Sequence, residues 1–386
     1  MKKNIFNQYI SDLNLDFKRP SCLSNKIKVC SYFVCCGASV DSILYGNNKK
    51  DLRTGNSGIQ LYVGNKQLRA LIPFSFISKG NPIKIKSSGN KKNAIVEYKG
   101  VKLFTISIIP ETKVGNNSIN LEFETLIAAL PQSPNGVRTC FYQEIKKACA
   151  FCALKKSKIP LNPSALALAY AKVFKKTGRR PQILLTGGND FSIDRGLAKF
   201  IPYIEKVRTV DRKVKIAIEA SPPKDVVELK KLANLKIDTF SANLELYSDN
   251  CRNEFLPGKS EIKINEYKKI FNYCKENKIK TFSVLIAGLE DGKDTLIGAK
   301  YLSNIGVPTN LLCLRPFPGS ILENHRKINP AWFLAITKKV IAAMDKKKLL
   351  RKLSRTSGCG SCGACSMEIN IYRVMNRYGK RVLNIF

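Results

Sequence analysis

The chain has 386 residues, 44% of them apolar and 25% charged, which excludes an intrinsically disordered polymer and leaves ample length for a large buried core. Lys and Arg total 66 against 29 Asp and Glu, a formal net charge of +37 that excludes an acidic solvating tail and suits an anionic or acidic partner, or else a Lys-rich solvated surface. One histidine, His325, excludes a Ser-His-Asp triad, a His-rich zinc hydrolase and a two-His iron site, whereas 13 cysteines demand an account.

No apolar run reaches the ~18 residues of a membrane-spanning helix, and the first residues, MKKNIFNQYISDLNLDF, lack a signal peptide's apolar core. A cytoplasmic protein with reduced thiols and no membrane association is expected, so clustered cysteines point to metal rather than disulfides. Residues 1–20 read as a short helix and a connection, and 22–36 as a cysteine-bearing loop. GNNKKDLRTGNSG (46–58) is a polar loop. IQLYVGNKQLRALIPF (59–74) reads as two strands about a Gly64-Asn65 turn, 78–93 as loop-rich, and 94–110 as a second hairpin. A β-rich N-terminal domain over 1–134 is expected.

Beyond Pro134, apolar runs alternate with helical patterns. The runs are 136–142, 182–188, 214–221, 239–246, 281–289 and 309–317; the helices lie at 163–176, 196–207, 224–233, 265–277 and 294–304. Six β–α alternations with near-continuously apolar strands predict an α/β fold, a partial (β/α)6 TIM-like barrel over 135–325. A flavodoxin-like open sheet is the second geometry. Polar and Gly-rich residues gather at the strand C-terminal ends, the ligand-binding edge of such a barrel. Residues 326–386 are expected to form a small α domain: a helix near 330–345, a basic run at 346–355, a Gly/Cys loop at 357–367 and a final helix at 368–380.

Ten of the thirteen cysteines fall into three groups. Cys140, Cys149 and Cys152 sit at the C-terminal end of the run at 136–142, read as the first barrel strand. Three thiolates hold three irons of a [4Fe–4S] cluster and leave the fourth iron open to an exogenous ligand, whereas zinc and electron-transfer clusters ask for a fourth protein ligand. Cys22, Cys30, Cys35 and Cys36 offer four thiolates within fifteen residues, a set that suits one iron or zinc. Cys359, Cys362 and Cys365, interleaved with glycines, suit an auxiliary cluster, a backbone surface against a flat cofactor, or simply a tight turn. Cys251, Cys274 and Cys313 lie in apolar or helical stretches and read as buried hydrophobes.

The C-x2-C pair with Phe151 before its last cysteine resembles the radical S-adenosylmethionine superfamily. The usual first gap of three residues is eight here. The resemblance extends to TGGND (186–190), to Glu219, to VLIAGLED (284–291) and to RPFPGS (315–320), covering roughly 135–320. It implies that Gly187, Gly188, Asn189 and Asp190 bind the methionyl amino group and that Glu219 and Glu245 bind the amino group or ribose. It also implies that Ile286 and Gly288 line the adenine and that Phe151 flanks the cofactor. Tyr142 is expected either to reach the open iron or the cofactor, or to be a core tyrosine. Within the superfamily, the layout of all three cysteine groups resembles the methanogenesis marker protein 10 family. That resemblance implies a cobalamin-dependent radical methyltransferase acting on an arginine sp3 carbon of the methyl-coenzyme M reductase alpha subunit. It further implies an electron donor, a single iron in the four-cysteine loop and cobalamin in the C-terminal domain, although no DxHxxG cobalamin motif is present. The net charge leaves nucleic acid, and a tRNA-modifying radical enzyme without cobalamin, as the alternative.

Overall fold

The computed structural model describes residues 2–45, 58–109, 114, 119–131, 136–154, 156–159, 161–345 and 347–386. The polar loop expected at 46–58 lies almost wholly outside them. Two sheets organise the chain. A six-stranded sheet carries, in spatial order, Ser39–Val40, Ile83–Ser87, Asn93–Tyr98, Val101–Ile109, Gly58–Val63 and Leu68–Pro73. Both expected hairpins are present in it, and the segment read as loop-rich contributes the strand Ile83–Ser87.

The second sheet holds six parallel strands in strict chain order: Thr125–Ala129, Gln182–Thr186, Ile216–Glu219, Thr239–Ser241, Lys280–Ala287 and Thr309–Cys313. Ile119–Glu122 adds an antiparallel edge. Sequential order requires each crossover to turn the same way, so the sheet curls into a half-barrel and the flavodoxin-like order is excluded. The first parallel strand corrects the expectation. It is TLIAA at 125–129, ahead of the boundary expected at 134/135, and not the run at 136–142. In that run Val137–Arg138 pairs antiparallel with Ser157–Lys158, and Phe141–Glu144 is a short helix. TLIAA has buried neighbours on both sides, and its short apolar run had merged with the preceding β pattern.

The helices follow from local chemistry. Asn162 caps Pro163–Thr177 by accepting from the Ala165 amide at 2.9 Å, Pro163 opens the helix, and Gly178 closes it in the left-handed conformation. Arg252, 2% exposed, donates to the carbonyls of Leu244, Leu246, Lys259 and Ile262 and so ties together the segment after the fourth strand. Arg252→Leu removes the side-chain donor to all four buried carbonyls, of which only those of Leu244 and Lys259 keep a backbone donor, and is expected to cost about 3–5 kcal/mol, read as a lowered urea midpoint at unchanged m.

The four-cysteine loop expected at 22–36 does not form. LSNKIKVCSYFVCC is the helix Leu23–Cys36, packed between the strand Leu68–Pro73 and the helix Pro330–Asp345. Its thiols point to separate partners. Cys22 caps the helix, its sulfur accepting from the Asn25 amide; Cys30 donates to the Arg69 carbonyl and Cys36 to that of Ile328; Cys35 meets Cys313. Burial pushes the Cys30 thiol up to about 12. Neutral, divergent sulfurs do not make a tetrahedral iron or zinc site; three of them serve as buried hydrophobes.

Nor does the C-terminal segment stand apart as a flat cofactor platform. The Leu71 amide donates to Ala364 O, and Asn370 exchanges hydrogen bonds with the Arg69 backbone, so 357–371 is wedged between the small sheet and the half-barrel. Glu368 accepts from the Leu311 amide at 2.8 Å, and burial raises its carboxyl from 4.5 to about 7. Folded Glu368 keeps a proton that the unfolded chain loses first. This contribution is therefore full below about pH 4 and is lost as pH rises through about 7, by up to ~3 kcal/mol. Glu368→Gln is expected to flatten that slope in pH-dependent denaturation.

Candidate active site

The half-barrel has an apolar lumen. Phe282, Val284 and Ile286 alternate along one face of the fifth parallel strand and form a cluster with Leu246, Leu256 and Leu314. Cys149, Phe151 and Cys359 pack against that same cluster. Two of the three cysteine groups therefore meet in one interior, a proximity invisible in the sequence.

Cys140 precedes the helix Phe141–Glu144, and Cys149 and Cys152 close the loop that follows it. All three keep accessible surface, and each lies within electrostatic reach of the others. Burial pushes Cys149 up to about 12, and Lys259 opposes it. The loop is held from two sides. The Phe141 amide donates to Asn189 O at 2.8 Å, and the Ala150 amide donates to Phe255 O at 2.8 Å. A Cβ on Gly188 would lie 2.2 Å from Thr139 O and 2.7 Å from the Cys140 Cβ, so only glycine lets the turn after the second strand lie against this loop. The Gly-Gly turn and the cysteines thus form one packed unit at the strand C-terminal edge. This arrangement fits three cluster ligands beside a backbone cradle. Among the described residues no three His, Cys, Asp or Glu side chains converge on one point for a single ion. A cubane instead takes one sulfur at each of several separate irons.

The other expected residues are distributed as follows. Asp190 is committed to its own turn: it accepts from the Ser192 amide at 2.8 Å and pairs with Lys199 at 2.5 Å. Burial would raise its carboxyl, but Lys199 and Ser192 hold it below its ordinary value. Tyr142 is buried, and a Cβ on Gly258 would strike its ring at 2.3 Å, so the ring is packed on the Gly258 backbone. Glu219 ends the third parallel strand, where burial raises it to about 7 and the Cys359 thiol donates to it. Glu245 adopts a left-handed φ of 70° that lets it bridge to the fifth strand: its amide donates to Val284 O and its carbonyl accepts from Ile286. Ile286 is buried in the lumen, and Gly288, at φ 108°, lies where a Cβ would meet the Ile328 side chain at 2.3 Å. Phe317 of RPFPGS meets the Phe76 ring, with centroids 5.9 Å apart. His325 is exposed.

Lys259 was not legible in the sequence. It is 9% exposed, pairs with Glu245 at 2.9 Å and donates to Asn243 O at 2.9 Å. Its ammonium faces the Cys149 side of the lumen. PGKS at 257–260 reads as a surface turn, and only the fold shows this lysine to be interior.

Comparison with known proteins finds a match over part of the chain. The model of the Radical SAM superfamily matches residues 141–297. No curated protein matches the chain. Similar solved structures include Streptococcus suis SuiB bound to S-adenosylmethionine, 12% identical, covering 59% of this chain and 48% of that one, with a TM-score of 0.41. HydG, a maturase of the [FeFe]-hydrogenase, is 15% identical, with 55% and 48% covered and a TM-score of 0.42. Coproporphyrinogen III oxidase, HemN, from Escherichia coli is 15% identical, with 60% and 49% covered and a TM-score of 0.33. The chain spans about half the length of these proteins. Among the described residues no helix is long and apolar enough to cross a membrane. The chain carries a Radical SAM superfamily domain over residues 141–297.

Proposed function

We propose that the protein is a radical S-adenosylmethionine enzyme in which Cys140, Cys149 and Cys152 hold a [4Fe–4S] cluster and the backbone of Gly187 to Asp190 receives the methionyl end of the cofactor. The observation that carries this reading is the packing of Gly188 directly on the Thr139–Cys140 backbone. When bound, the cluster supplies the electron for reductive cleavage of S-adenosylmethionine and thereby radical abstraction of hydrogen from an unactivated C–H bond. The chain's own residues orient and enclose. Lys259, paired with Glu245, sets a cation beside the Cys149 thiolate. Ile286 and Phe151 exclude water, and Gly288 keeps the backbone close-packed at the strand edge. Tyr142, packed on Gly258, fixes the loop between Cys140 and Cys149. No histidine acid–base step is required.

The finer reading, arginine C-methylation of the methyl-coenzyme M reductase alpha subunit, is supported by the stretch CFYQEIKKACAFC and by the C-terminal Cys/Gly segment. Phe191, 83% exposed and 5.4 Å from Phe141, is an apolar contact for a protein or peptide substrate at the mouth. Cobalamin fits less well. Gly358 and Gly360 pack on Leu184, Ala217 and Phe282, so the surface these glycines free is taken by the chain itself. The direct test is anaerobic incubation of reconstituted protein with S-adenosylmethionine and reductant. Formation of 5′-deoxyadenosine and methionine supports the reading, and its absence with an intact cluster overturns it. Arginine-peptide methylation together with bound cobalamin by mass spectrometry separates the finer reading from tRNA modification.

A further inference from the structure

We infer that Cys359, Cys362 and Cys365 bind a second [4Fe–4S] cluster inside the half-barrel lumen, where the Cys359 thiol meets Glu219. Their spacing, C-x2-C-x2-C, is the run that supplies three thiolates to a single [4Fe–4S] cluster in bacterial ferredoxins, a fourth ligand coming from elsewhere. The backbone is shaped accordingly. Gly358 and Gly363, at φ 70° and 73°, bracket the one-turn helix Cys359–Cys362 and fold the segment back on itself. The three thiols lie within electrostatic reach of one another. Each retains accessible surface although enclosed by protein, the condition of side chains lining an internal cavity.

The surroundings point to a ligand independently of the cysteines. Arg315, 8% exposed, donates from Nη1 to the Cys365 sulfur at 3.3 Å, while its buried Nη2 has no partner. Glu122, also 8% exposed, faces all three thiols and keeps a buried Oε1 without a partner. Arg69 faces Cys362, and its Nε is likewise unpartnered. The Ala364 amide donates to the Cys362 sulfur. Buried guanidinium N–H groups with no acceptor are costly to leave unmade. A cluster with three thiolates is anionic and rich in sulfur acceptors, so it satisfies these donors and neutralises their charge. On assembly the three thiols release three protons, and two ferrous and two ferric ions with four sulfides supply the [4Fe–4S]2+ core, so that no net oxidation is needed. Glu219, receiving the Cys359 thiol, stands at the remaining face, toward Glu245 and Lys259 beside the first triad.

The inference does not depend on radical chemistry at the first triad, and its test separates the two. The full chain is reconstituted anaerobically with ferrous and ferric iron and sulfide, then assayed for iron, acid-labile sulfide and zinc and for the EPR spectrum of the reduced protein. Wild type is expected to hold about eight irons and C140A/C149A/C152A about four, with a reduced-cluster signal that disappears when C359A/C362A/C365A is added. About four irons in wild type, no cluster in the first-triad variant, or zinc in place of iron overturns the inference. Wild-type stoichiometry decides the matter if a triple variant fails to fold. Deoxyadenosine formation by wild type is scored separately, so loss of that activity with eight irons present would strike only at the proposed reaction.

Discussion

Cys149→Ala or Cys152→Ala is expected to bring reductive cleavage of S-adenosylmethionine down to background and to remove the iron of the first cluster. In the proposed cluster each sulfur anchors one iron, and no neighbouring His, Asp or Glu is placed to substitute: the charged groups facing Cys149 are Glu245 and Lys259, already paired to each other at 2.9 Å. The assay is deoxyadenosine formation beside iron content. Cys251→Ala is a matched control, since Cys251 also packs against the lumen cluster but lies outside both triads, and it should retain cleavage and iron. Cys22→Ala discriminates further. The Cys22 sulfur caps a helix, so its loss should leave iron content unchanged while costing about 1 kcal/mol of stability. Iron lost with Cys22 would restore the four-cysteine site that the helix argues against.

Lys259→Met is expected to destabilise the fold by about 3–5 kcal/mol, because it strands the Glu245 carboxylate, 8% exposed, without its cation. The effect extends beyond stability. Glu245 occupies a left-handed conformation that its backbone bonds to Val284 and Ile286 enforce, and an unpaired charge there works against that geometry. Adding Glu245→Gln removes the stranded charge, and the double variant should regain most of the lost stability. Urea denaturation of the two single variants and the double variant measures the coupling directly. A loss in the double variant equal to the sum of the two single losses would show that the pair is not an interacting unit.

These two residues mark the boundary of what sequence reading reached. The alternation of apolar runs with amphipathic helices disclosed five of the six parallel strands, because period and burial are local properties of such runs. The sixth, Thr125–Ala129, was hidden. Five residues of TLIAA carry no signal that separates a parallel strand from the end of an antiparallel sheet, and only its pairing with Gln182–Thr186 assigns it to the half-barrel. The helix at Leu23–Cys36 escapes sequence reading for a related reason. Cysteine density suggested a metal loop, but the thiols lie on a continuous helix whose buried side includes Ile27, Val29 and Phe33, and hydrophobic burial outweighed ligand spacing.

What the sequence determined by itself was the chemistry on offer: a three-cysteine group with its Gly-Gly turn, no histidine apparatus, and a second cysteine run near the C-terminus. These depend on residue type and short spacing, which survive without coordinates. The tertiary structure alone decided which groups share a space. It brought Cys149 and Cys359, more than half the chain apart, to one apolar cluster, and it sent Cys30, Cys35 and Cys36 to unrelated partners. It also buried Lys259 and Arg315 where their charges must be met. Proximity and desolvation are set by how strands order and helices pack across long separations, which one-dimensional spacing does not encode.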